Sequence, residues 1–253
     1  MDKPTGCHPG CQLAWYRRRR YNLGENMQAR FRAPARVTVA EARELQRRLR
    51  DEVVEEGDPR DVHLVAGVDL SGTWGGGTAT AAAVLLSYPG LEVLEHHLVR
   101  GQLEFPYIPG LLSFREAPLM LEALGGLKRQ PHLVLVDGQG RAHPRGLGIA
   151  SHLGLILGVP VVGCAKSRLV GSHEDPPAEA GNWVSLILDG RVVGAVFRTK
   201  TRVRPIYVSV GHLISLESAL RFVAGCTLPG RRIPEPIMRA HILAGLDRTA
   251  HAG

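Results

Sequence analysis

The apolar positions Ala42, Leu45, Leu49 and Val53 recur at helical spacing behind Thr38-x-x-Glu41, a capping box, so the pattern predicts a helix over 38–56 closed by Gly57 and Pro59. The period then changes. HLVAGVDLS is a short apolar run ending in an acid and reads as a buried strand; ATAAAVLLSY and LEVLEHHLVRG flank Pro89-Gly90 as a hairpin, the first of them preceded by the Gly-rich turn 75–77. PYIPGLLSF is an irregular, Pro-pinned loop, APLMLEALGGL a helix, and PHLVLVDGQG a second apolar strand ending in an acid. RGLGIASHLGLILG follows as a helix and VPVVGCAKS as a third buried strand. WVSLILDGRVVGAVFR is a hairpin with a type I′ candidate at Asp189-Gly190, and ISLESALRFVAGC a helix with Ser215 as N-cap.

Strands alternating with helices predict an α/β fold with a mixed sheet. Residues 1–36 are polar, basic and aperiodic, and are expected to be a flexible extension. No linker divides residues 37–253, which are expected to form one domain.

At 253 residues and 44% hydrophobic the chain can bury a substantial core. It has no apolar run near the roughly 20 residues of a membrane helix, and its N-terminus lacks a signal-peptide core, so a cytoplasmic monomer is expected, away from membranes. Its four Cys are expected to be reduced. Cys7, His8 and Cys11 offer three zinc ligands but no second Cys pair nearby, and Met27 is an alternative start.

The net charge of +7 is unevenly placed. Residues 1–36 hold eight basic and two acidic residues, 37–197 hold 14 and 19, and 198–239 hold eight and two. In the last segment Arg198, Lys200, Arg202 and Arg204 alternate with other residues. On a strand they share one face and form a row suited to phosphates.

Two carboxylates stand out. Asp69 and Asp137 each close an apolar run, where an unpaired charge is costly. If their strands are neighbours the two face each other, and a hard cation holds both ionised; otherwise each caps a turn. Glu116 sits in Ser113-Phe-Arg-Glu116, itself a capping-box pattern, and also beside the preceding loop. Lys166 ends the third strand in parallel with the two Asp residues, a place from which to hold a phosphate.

The segments AGVDLS, PYIPGLLSFREAP, VDGQGRAHPRGLGIASHLG, GCAKS, VSVGHLIS and RIPEP occur in the order and spacing of the endonuclease V family, over roughly residues 38–245. The chain resembles that family. The resemblance implies an RNase H-like fold and a catalytic domain over 37–253. It implies a Mg²⁺-dependent repair endonuclease, with Mn²⁺ as a substitute, that recognises deoxyinosine in DNA and hydrolyses the second phosphodiester bond on the 3′ side, leaving 3′-hydroxyl and 5′-phosphate. Some relatives prefer inosine in RNA, so an inosine-directed ribonuclease is the alternative.

By the same resemblance Asp69, Asp137 and Glu116 are metal-binding acids and His241 lies near the metal. Lys166 lies beside the scissile phosphate, and Tyr107 is the wedge that enters the duplex. Gly110, Leu112, Gly138, Gly148, Ile149 and Leu169 form the base pocket, and His143 and Arg145 approach the strand backbone. Two readings of another class stay open. Gly67–Thr73 resembles the first phosphate loop of actin-like kinases, though those chains are longer and two-domained. A non-catalytic nucleic-acid-binding module requires loss of an acid, and none is lost.

Overall fold

The structure, a computed structural model, describes residues 37–72 and 77–250. The extension, with Cys7, His8, Cys11 and Met27, lies outside the described residues, as does most of the 75–77 turn. The first helix is α1 (Val39–Leu49), opened by the Thr38/Glu41 capping box and extended by a 3₁₀ turn over Arg50–Glu52. The strands are β1 (Leu64–Gly72), β2 (Thr78–Ser87), β3 (Val93–Gln102), β4 (Leu133–Val136), β5 (Val161–Ala165), β6 (Trp183–Leu188), β7 (Arg191–Phe197) and β8 (Ile206–His212). The remaining helices are α2 (Leu112–Gly125), α3 (Ile149–Leu157), α4 (Leu216–Gly225) and α5 (Glu235–Ala250).

The strands form one sheet in the order β3-β2-β1-β4-β5-β8-β7-β6. β1, β4 and β5 run parallel at its centre, and the other pairings are antiparallel. This is the RNase H-like arrangement. β2 is buried over eight consecutive residues because both faces of the sheet are covered. Ala81, Ala83 and Leu85 join the core under α2 and α3. Ala82, Val84 and Leu86 meet Ala240 and Ala244 of α5, and Val65, Leu133 and Leu135 pack with Ile237 of α5 and Phe222 of α4.

Three local expectations are corrected. Arg198, Lys200, Arg202 and Arg204 do not share a strand face: β7 ends at Phe197 and β8 begins at Ile206. Arg202 has φ +58°, which no extended strand contains, and Pro205 has no N–H for a ladder. Arg198 turns inward, donating to the carbonyls of Pro176, Pro177 and Val203. Ser113 does not cap α2, because the helix begins one residue earlier and its N-cap position is Leu111. The chain beyond RIPEP, read only as a motif, is the helix α5. The Asp189-Gly190 turn matches expectation, with φ of 50° and 75°, and Ser215 accepts from the Ser218 N–H as N-cap of α4.

Candidate active site

Side chains two residues apart on a strand share a face. Val65, Gly67 and Asp69 therefore point the same way, as do Leu133, Leu135 and Asp137, and Val162, Cys164 and Lys166. The parallel register aligns Val65 with Leu133 and Gly67 with Leu135. Asp69 and Asp137 consequently end up side by side beyond the sheet core, and the N–H of Asp137 donates to the carbonyl of Val68 at 3.3 Å. All three functional groups project from the α5 face at the carboxyl ends of the central strands.

α5 brings the fourth. Its first turn crosses β1 so closely at Gly67 that a Cβ there lands on the backbone of Pro236. Pro236 is tolerated in a first turn, where its missing N–H has no intrahelical partner to lose. From that crossing the helix delivers His241, whose Nδ1 lies 2.6 Å from Asp69 Oδ2. The other oxygen of Asp69 accepts from the Leu70 N–H at 2.8 Å. Lys166 Nζ is 2.5 Å from Asp137 Oδ2.

Burial, and then the neighbouring charge of Asp137, push the Asp69 carboxyl up to about 6, against the pull of His241 and Lys166. Burial, and then the charge of Asp69, raise Glu116 to about 7. The cluster thus resists holding all its negative charge unaided. The ligand atoms of Asp69, Asp137 and His241 lie within 4.8 Å of one another. Two carboxylates and an imidazole are a donor set that suits a divalent cation. Glu116 lies outside that trio but senses both acids electrostatically and lines the same opening.

That opening is a cavity of about 540 Å³. Tyr107, Gly110, Leu112, Glu116, Gly148, Ile149, Leu169 and His241 line it, so most sequence-derived pocket residues meet there. Gly138 stands behind the wall, with Ile149 filling the space in front of its Cα. Gly148 has room for no Cβ, because the carbonyl of Gln139 occupies that position. Tyr107 is 48% exposed at the rim. His143 lines the cavity and Arg145 is partly exposed beside it. His143 is buried, and both side chains reach the carbonyl of Gly110.

Several residues around the site escaped the sequence reading. Arg115 is buried and donates to the carbonyl of Phe105 at 2.6 Å, anchoring the start of the Tyr107 loop. Gln139 Nε2 donates to the carbonyl of Ser167, and Arg232 to those of Lys166, Arg204 and Pro205, so two side chains hold the turn that carries Lys166. Gln46, buried in α1, also lines the cavity. Its signal was present: a polar residue on the apolar stripe of a helix needs partners.

Known proteins resemble this chain in sequence and in fold. The family model for endonuclease V matches residues 46–242. A relative named endonuclease V, from Roseiflexus sp. strain RS-1, is 47% identical over 222 residues, covering 88% of this chain and 99% of its own. The crystal structure of endonuclease V from Streptomyces avermitilis superposes with TM-score 0.81 at 40% identity, covering 86% of this chain and 96% of its own. The Ciona intestinalis enzyme, solved with a 24mer DNA containing an inosine followed by a ribo-adenosine, gives 0.74 at 30% identity over 84% and 98%. With the family's model spanning the sheet, the acids and the Tyr107 loop alike, the chain belongs to the endonuclease V family of nucleases.

Proposed function

We propose that this chain is a DNA repair endonuclease that recognises deoxyinosine and hydrolyses the second phosphodiester bond 3′ to it, leaving 3′-hydroxyl and 5′-phosphate. The observation that carries the reading is the Asp69–Asp137–His241 cluster with Lys166 at its edge, opening into a cavity rimmed by Tyr107. Asp69, Asp137 and His241 hold the metal, with Glu116 alongside. Mg²⁺, or Mn²⁺ in its place, supplies Lewis-acid stabilisation of charge on the phosphate when bound there.

The chain's own groups do the rest. Tyr107 fills the gap that a flipped base leaves, offsetting an unstacking cost of a few kcal/mol. Gly110 and Gly148 shape the wall the base would meet: their missing side chains make room for the Arg145 guanidinium and for the carbonyl of Gln139. Glu116, titrating near neutrality, accepts a proton from the attacking water at its carboxylate oxygen. Lys166, beside Asp137 at the edge of the cluster, is placed to neutralise the phosphate oxygens. Lys200, Arg202 and Arg204 are exposed on the 198–205 loop and add charge for the strand, as does the partly exposed Arg145 at the cavity edge.

The test separates binding from chemistry. Asp69→Ala and Asp137→Ala are each expected to abolish cleavage in Mg²⁺ while a deoxyinosine duplex still shifts in a gel. Cleavage retained by Asp137→Ala overturns the metal assignment.

A further inference from the structure

Three side chains converge on one backbone oxygen at the cavity edge. The carbonyl of Gly110 accepts from Gln46 Nε2 at 3.0 Å, from His143 Nε2 at 3.0 Å and from Arg145 Nη2 at 2.6 Å. The His143 proton is assigned by its other bond. Its Nδ1 lies 3.2 Å from the backbone N–H of Arg145 and accepts it, so Nε2 carries the hydrogen and donates. Burial, then the Arg145 charge, lower this imidazole to about 4, so it stays neutral in that tautomer at physiological pH.

Gln46 closes the set. Its amide donates a second time, to the Leu147 carbonyl at 3.0 Å, and its Oε1 accepts from Arg145 Nε at 2.5 Å. It is 1% exposed. One side chain therefore ties α1, the Tyr107–Gly110 loop and the 141–148 loop together, from a helix that supplies no catalytic group. Gly110 itself has φ +78°, and a Cβ there meets the Arg145 guanidinium, so both its backbone and its surroundings are specified.

We propose that Gln46 is a positioning residue for lesion recognition: by holding the Gly110 carbonyl with His143 and Arg145, it fixes the loop from which Tyr107 enters the duplex. This rests on the wedge reading of Tyr107. A loop held from three sides loses little entropy when it inserts, so the gain is spent where the base must be unstacked. Where no duplex has to be opened, a loosened loop matters less.

The experiment compares cleavage of deoxyinosine in duplex and in single-stranded DNA. Gln46→Ala is expected to raise KM on duplex about tenfold, the scale of a buried polar group left unpaired, with kcat within about twofold and single-strand KM changed less than about threefold. Wild-type kcat on single strands certifies the fold. Should Gln46→Ala not fold, Gln46→Asn, a methylene too short to reach all three partners, is read on the same two substrates with the same expected bias. Tyr107→Ala, run alongside, is expected to share the duplex-specific loss. An equal loss on both substrates, or no loss, overturns the assignment of Gln46 alone. A Tyr107→Ala variant that opens duplex normally overturns the wedge reading beneath it.

Discussion

At the scale of the residue, burial decides the chemistry. Asp69 and Glu116 are pushed from their ordinary 3.8 and 4.5 to about 6 and about 7. In the folded chain they keep protons that the unfolded chain has already lost. Without metal they therefore cost stability progressively as pH rises from about 4 to 7. A divalent cation competes with those protons and removes the cost. The rise in Tm on adding Mg²⁺ is expected to be larger at pH 7.5 than at pH 5.5, measured by calorimetry; a rise independent of pH contradicts the assignment.

His152 shows the opposite sign. Its ring lies buried against Phe114 with neither nitrogen hydrogen-bonded, and burial lowers it to about 4. The unfolded chain protonates this group below about 6.5 while the folded chain does not, so its contribution is intact above that value and is lost as pH falls towards 4. His152→Leu is expected to lose less stability than the parent between pH 6.5 and 4.5, by about 2 kcal/mol, less than two full pKa units at about 1.36 kcal/mol each because the unfolded imidazole is already half protonated at pH 6.5. Denaturant titration at both pH values checks this; parallel acid limbs contradict it.

At the scale of the element, α5 explains why the site assembles. Its apolar side chains do not gather on one stripe, so periodicity gave no helix there, yet Ala240 and Ala244 are small enough to seat it against β2. Gly67 is the matching concession on β1. Gly67→Ala places a methyl on the Pro236 backbone. It is expected to lower stability by about 1–3 kcal/mol, the usual cost of overpacking, and to reduce cleavage by displacing His241 from Asp69. Unchanged Tm and cleavage contradict this account of the crossing.

The central strands, the two hairpins and the capped helices α1 and α4 were legible because local period, turn residues and caps agree there. Asp69, Asp137 and Lys166 were legible for the same reason: each is the charged residue that closes a short apolar run. The basic row at 198–205 was misread because alternation alone does not make a strand when a positive φ and a proline interrupt it. The partners of Gln46, Gln139 and Arg232 could not be read because each bonds to a carbonyl far away in sequence, and only the tertiary fold pairs them; for Gln46 the sequence showed the need for partners but not which they are.

At the scale of the whole molecule, charge and fold divide the work. The net +7 hides an acidic middle, and the sheet gathers the decisive carboxylates of that middle at one end. Residues 198–239 hold eight basic residues against two acidic ones, and on the proposed function this charge adds affinity for the strand without choosing a base. Among the described residues no helix is long and apolar enough to cross a membrane. On the proposed function, specificity is left to the cavity and the Tyr107 loop, and chemistry to the Asp69–Asp137–His241 cluster. The most direct test is a cleavage assay on a duplex with a single deoxyinosine, in Mg²⁺ and in EDTA, with a matched inosine-containing RNA in parallel. One Mg²⁺-dependent cut at the second phosphodiester 3′ to the lesion is expected, with an extendable 3′-hydroxyl, no cutting in EDTA and weaker cutting of RNA. Cleavage that persists in EDTA, or that favours the RNA, contradicts this expectation.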